Sequence, residues 1–112
     1  MELSIKPYIQ NKKTIHLVGI GGVSMNSLGE LLLSMGVPVT GSDRAHSAVT
    51  ERLERLGAVI HYAHEASNVD GAALVIRTAA VHDDNPEIAR AHELGIPVME
   101  RAQAWGCLMT DY

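Results

Sequence analysis

Thr14-Ile15-His16-Leu17-Val18-Gly19-Ile20-Gly21-Gly22-Val23-Ser24-Met25 is the stretch that decides the fold. An apolar strand runs into a glycine-rich turn. A helix follows at once, with Leu28, Leu31, Leu32 and Met35 spaced for one helical face. This order builds an anion site. Glycines let the backbone approach the anion closely, and the first-turn N–H groups of the helix point at it with the positive end of the dipole behind them. A dinucleotide fingerprint reads G-x-G-x-x-G; here Gly19 and Gly21 fill the first two places and Ser24 the third. Asp43 closes the next expected strand, where an acidic residue often meets a nucleoside. Together these features predict a nucleotide-type ligand.

Outward from that turn, strand and helix patterns alternate. Residues 1–13 are polar, carry Lys6, Lys12 and Lys13, and read as a lead-in arm. Strands are expected over 14–19, 37–40, 58–60, 72–77 and 96–99. The first helix, about 24–35, stops at Gly36 with Pro38 just beyond. Ser47 caps a second helix that Gly57 ends. The polar stretch 61–71 reads as a loop with a short helical turn. Asn85-Pro86-Glu87 is a helix start, with Asn as cap and Pro in the first position, and Gly95 ends that helix. A last short helix covers 102–109. The expectation is a Rossmann-like three-layer α/β domain over 14–112 with a five-stranded, mainly parallel sheet. Ligands of such sheets bind at the carboxyl ends of the strands. The glycine turn, Gly41-Ser42-Asp43, His61 to His64 and Thr78-Ala79-Ala80 should therefore converge.

Composition narrows the function. The 112 residues are 46% hydrophobic, enough for one core, and contain no Phe, so the core is aliphatic. No run of roughly 18 apolar residues is present to span a membrane. The start of the chain lacks the apolar stretch of a secretory signal. A net charge of −4 argues against a nucleic-acid surface. Cys107 is the single cysteine, which forbids an internal disulfide and suits a reducing cytoplasm.

Other polar residues read more plainly. His61 and His64 are spaced H-x-x-H, but no further Cys or His pair completes a zinc set, and no metal site is expected. His16 reads as a satisfied core histidine, and His82-Asp83-Asp84 as a solvated loop before a helix start. Cys107 reads as a small buried hydrophobe. No catalytic residue is assigned.

The string Gly19-Ile20-Gly21-Gly22-Val23-Ser24-Met25 resembles the opening of the Mur ligases of peptidoglycan synthesis. Gly41-Ser42-Asp43, Thr78-Ala79-Ala80-Val81, Asp84-Asn85-Pro86-Glu87-Ile88, Gly95-Ile96-Pro97-Val98 and Arg101-Ala102 agree in order and spacing. The resemblance runs from Thr14 onward and is similar above all to the members that join L-alanine to UDP-N-acetylmuramate. It implies a first domain that holds UDP-N-acetylmuramate. The turn from Gly19 through Ile20, Gly21, Gly22 and Val23 to Ser24, walled by Met25, would cradle the diphosphate. Ser42 and Asp43 would meet the uridine. His64, Thr78, Ala79 and Ala80 would lie nearer the sugar and phosphates. The family often has Gly where this chain has Ser24.

The family's ATP site is a P-loop opening a central domain, and no G-x-x-x-x-G-K-[ST] pattern occurs in this sequence. The chain is therefore expected to be the first domain of a longer cytoplasmic enzyme. It would bind no cofactor itself, and ATP and Mg would be held by the central domain. Two other classes stay open on the residues alone. One is an NAD-binding domain of an oxidoreductase, with Asp43 on the adenosine ribose. The other is a non-enzymatic nucleotide-sensing module.

Overall fold

A computed structural model describes residues 4–111. The first three residues of the expected arm and the last residue of the expected 14–112 domain lie outside them. In chain order the elements are α1 (Lys6–Gln10), β1 (Ile15–Val18), α2 (Val23–Ser34), β2 (Val39–Ser42), α3 (Ala48–Arg55), β3 (Val59–His61), β4 (Leu74–Arg77), α4 (Pro86–Leu94), β5 (Val98–Glu100) and α5 (Arg101–Asp111). A short helical turn, Ala66–Val69, lies in the loop before β4.

The strands stand in the order β3-β2-β1-β4-β5, and every pairing is parallel. The expected sheet is thus wholly rather than mainly parallel. From β1 the chain builds one way through β2 and β3, then returns to add β4 and β5 on the other side. The topological switch lies between β1 and β4, the place where open α/β sheets bind ligands.

Alternation along β1 sorts the two layers of helix. Ile15 and Leu17 pack with Leu28 and Leu32 of α2, Leu53 of α3 and Ala104 and Leu108 of α5. Val18 packs on the opposite face with Val75, Val69 and, from α4, Ile88 and Ala91. Strands covered on both faces read as near-continuous apolar runs, and all four residues of β1 are buried.

The local signals explain the element ends. Ser47 caps α3 reciprocally with Thr50, its side chain accepting from the Thr50 N–H. Asn85 Oδ1 accepts from the Glu87 N–H to start α4, and Gly95, with φ 72°, ends it in the left-handed region.

Element bounds move by one or two residues from expectation, and two departures matter for the packing. The lead-in arm contributes a helix, because Ile5 and Ile9 are buried in the main core and Tyr8 packs against it. Lys12 Nζ also donates to the Met35 carbonyl beyond α2. The second strand begins two residues later than expected. Pro38 has no N–H for the ladder, although its carbonyl accepts from Ile15, so pairing starts with Val39 opposite Ile15. That shift carries Gly41 and Ser42 into the strand. Gly41 lies beneath Ile20, whose Cδ1 would stand 2.6 Å from a Cβ at position 41.

Candidate functional site

The glycine turn leaves β1 at its carboxyl end. The N–H groups of Gly19 and Ile20 both donate to the Ser42 carbonyl, at 2.8 and 3.0 Å, and that of Gly22 to the Gly19 carbonyl. Gly19 has φ 77°, which the turn requires and L side chains resist. Gly22 is the N-cap of α2, and no side chain caps the helix. The first-turn N–H groups of Val23, Ser24 and Met25 therefore find no acceptor within the helix. Val23 is 89% exposed, so this end of α2 opens to solvent. Arg101, the first residue after β5, places Nη1 2.9 Å from Ser24 Oγ. A guanidinium and the positive end of a helix dipole thus share one spot.

Asp43 stands beside this turn. Its Oδ2 accepts from the Gly21 N–H and its Oδ1 from the Ala45 N–H, each at 2.9 Å. The carboxylate therefore holds the glycine turn against the segment after β2. Its position explains Gly21, since a Cβ there would come within 2.8 Å of Asp43 Oδ2.

Across the switch point lies a crevice of about 470 Å³. Gly19, Arg44 and His64 line it, together with Ala80 and the loop up to Pro86. The loops after β1, β2, β3 and β4 meet there, as the carboxyl-edge rule demands.

Beneath the crevice is a buried polar cluster. His16 and Val18 share the face of β1 turned to α4, and the register sets Thr40 and Ser42 of β2 beside them. Glu87, in the first turn of α4, enters this row. Its Oε1 meets His16 Nε2 and accepts from Ser42 Oγ at 2.9 Å, and its Oε2 lies 2.8 Å from His64 Nδ1. His16 Nδ1 is 2.7 Å from Thr40 Oγ1. His16 and Glu87 are fully buried, and every buried side-chain N and O among the described residues is partnered. Burial alone would push the Glu87 carboxyl up, but the hydrogen bonds from His16, Ser42 and His64 outweigh it and hold it below its ordinary value.

The sequence-expected residues divide accordingly. Gly19, His64 and Ala80 line the crevice, and Thr78 and Ala79 lead into it from β4. Gly21, Gly22, Val23 and Ser24 form the turn and the open helix end. Ile20 and Met25 send their side chains into the core, leaving their backbone to the turn. Ser42 is fully buried, with its hydroxyl committed to Glu87. Arg101 and Glu87 receive no site role from the sequence. Arg101 follows the fifth strand and so belongs at the same carboxyl edge. Glu87 reads as part of a helix start and of the Asp84–Ile88 string that carries the resemblance, with no role of its own.

Known proteins similar to this chain bear on its family and fold. The model of the Mur ligase family, catalytic domain, matches residues 14–112. UDP-N-acetylmuramate–L-alanine ligase of Caldanaerobacter subterraneus subsp. tengcongensis is 47% identical over 112 residues, 100% of this chain and 24% of that protein. The enzyme of the same name from Geotalea daltonii is 52% identical over 95 residues, 85% of this chain and 21% of its own. The crystal structure of UDP-N-acetylmuramate–alanine ligase from Thermotoga maritima aligns with a TM-score of 0.76 at 41% identity, covering 80% of this chain and 21% of that one. The chain spans about a quarter or less of the length of these relatives. The glycine turn, the parallel sheet built around it and a family match that takes in both place this chain in the Mur ligase family.

Proposed function

We propose that this chain is the UDP-N-acetylmuramate-binding domain of an ATP-dependent ligase that joins L-alanine to that nucleotide sugar in the cytoplasmic steps of peptidoglycan synthesis. The observation that carries the reading is the uncapped start of α2, with Arg101 on Ser24 beside it. Three N–H groups and a guanidinium aimed at one spot suit a diphosphate. Asp43 stands on the uridine side, and the crevice past Gly19, with His64 and Thr78 to Ala80, takes the sugar. ATP and Mg belong to a part of the enzyme outside this chain, where ATP supplies activation of the lactyl carboxylate. The relatives named above support the choice of nucleotide sugar.

Titration of the chain with UDP-N-acetylmuramate, UDP and NAD, followed by the amide signals of Gly19 to Met25, tests this. The UDP-sugar should perturb them most strongly, UDP less. Perturbation by NAD alone would replace the reading with a dinucleotide-binding domain.

A further inference from the structure

The buried carboxylate of Glu87 lies outside the ligand contacts proposed above, yet it touches one of them. It is ionised at neutral pH, because its titration is held below the ordinary range, so it can only accept hydrogen bonds. Each neighbour must then donate: His16 through Nε2–H, Ser42 through its hydroxyl, and His64 through Nδ1–H. Ser42 Oγ, 3.3 Å from His64 Nδ1, sits on the same edge of that ring. A neutral imidazole has one N–H, so the bond at one nitrogen fixes the role of the other.

The other nitrogen of His64, Nε2, has no hydrogen-bond partner among the described residues. The side chain is 16% exposed and lines the crevice. Because no buried side-chain polar atom is left unpaired, Nε2 is reached by solvent.

We propose that Glu87 is a positioning residue: through Nδ1 of His64 it presents Nε2 as a hydrogen-bond acceptor in the crevice, for a hydroxyl or amide N–H of the bound nucleotide sugar. This rests on the ligand reading above and deepens it. It assigns His64 to a donor group of the ligand rather than to a phosphate, which offers only acceptors to a neutral Nε2. The anion is left to α2 and Arg101. Glu87 acts from below the site and touches no ligand.

Two measurements on the 112-residue chain test it. Heteronuclear NMR of the histidine rings reports the tautomer of His64. The neutral ring should carry its proton on Nδ1, and Glu87→Gln, whose amide can donate as well as accept, should raise the population protonated on Nε2. A wild-type ring protonated on Nε2 overturns the proposal, whatever Glu87→Gln does to stability. The second measurement uses His64→Asn, whose amide can still donate to Glu87 but places nothing at Nε2. Its melting temperature should hold, and its affinity for UDP-N-acetylmuramate should fall roughly three- to tenfold, the range of one neutral hydrogen bond. Equal affinity in variant and wild type overturns the role of His64 and leaves the ligand reading standing. A wild type that binds neither UDP-N-acetylmuramate nor UDP ends both.

Discussion

The Asp43 carboxylate accepts the Gly21 N–H at 2.9 Å across 22 positions of sequence. This bond ties the turn after β1 to the segment after β2. It makes Asp43 part of the scaffold of the glycine turn, where the anion is proposed to bind, as well as a candidate contact for the nucleoside. Replacement by Ala leaves two backbone N–H groups without their charged acceptor. Asp43→Ala should lose about 1.5–3 kcal/mol of stability, the scale of hydrogen bonds to a charged group. Affinity for UDP should fall with it. Chemical denaturation and a UDP titration of the same samples separate the two effects. Unchanged stability would show that the Gly21 and Ala45 N–H groups are satisfied without Asp43.

Gly21 and Gly41 should fail in different ways. A Cβ at Gly21 meets Asp43 Oδ2 at 2.8 Å and Thr50 Cγ2 at 3.1 Å. The carboxylate is the more movable group, so Gly21→Ala should displace Asp43 and weaken UDP binding more than it weakens the fold. A Cβ at Gly41 meets three atoms of the fully buried Ile20 at 2.6 to 3.0 Å. Gly41→Ala should therefore cost about 1–3 kcal/mol, the usual range for overpacking a core. Melting temperatures of the two variants check the order. A Gly41→Ala protein as stable as wild type would mean that Ile20 has room to move.

Most of the fold could be read from the chain because its signals are local. Ser47, the Asn85-Pro86 pair and Gly95 act within a turn of their own helices, and each marks the boundary it was expected to mark. The glycine turn declares itself for the same reason. Ile5 and Ile9 were obscured by the lysines around them, and their burial depends on a core assembled from distant elements. The polar cluster is less legible still. His16, Ser42, His64 and Glu87 lie up to 71 positions apart, and only strand register and the docking of α4 bring them together. Ser42 shows the cost of reading one residue at a time. The resemblance implies a uridine contact for it, whereas the pleat turns its hydroxyl inward to Glu87.

Glu87 should also shape the acid limit of the protein. Its carboxyl titrates below the ordinary 4.5 when folded. A depressed folded pKa contributes stability that is fully present above the unfolded value. That stability is lost as pH falls through the folded one. Denaturation midpoints should therefore drop below about pH 4.5 as the cluster takes up a proton. Glu87→Gln should be less stable at neutral pH and show a shallower fall on acidification. Parallel curves for wild type and variant would place the acid sensitivity elsewhere.

Arg101 offers a test that separates phosphate from nucleoside. Its guanidinium reaches Ser24 at the open end of α2, where the diphosphate is proposed to lie. Arg101→Gln should weaken UDP binding by about 1.5–3 kcal/mol, as expected for loss of a charged hydrogen bond. Uridine, which has no phosphate, should bind both proteins equally. The UDP loss should shrink as salt is added, because screening weakens exposed charge interactions. An equal loss for uridine would assign Arg101 to the shape of the turn rather than to the anion.

The last expectation concerns turnover. Phosphoryl transfer relies on positioning: ATP phosphates and magnesium are held by a P-loop lysine and its partners. Lys6, Lys12 and Lys13 are the only lysines of this sequence, all precede β1, and none follows a Gly-x-x-x-x-Gly. The open end of α2 is proposed to hold a diphosphate, but none of the described residues would deliver a phosphoryl group to a carboxylate in the crevice. The 112-residue chain, given ATP, magnesium, UDP-N-acetylmuramate and L-alanine, should release no ADP above background. Joined to the remaining length of a relative such as the Thermotoga maritima ligase, it should become active. Asp43→Ala and Arg101→Gln should lower that activity chiefly by raising KM for the UDP-sugar, because they remove binding rather than chemistry. Turnover by the isolated chain would show that the activating chemistry resides within these residues and would overturn the division of labour proposed here.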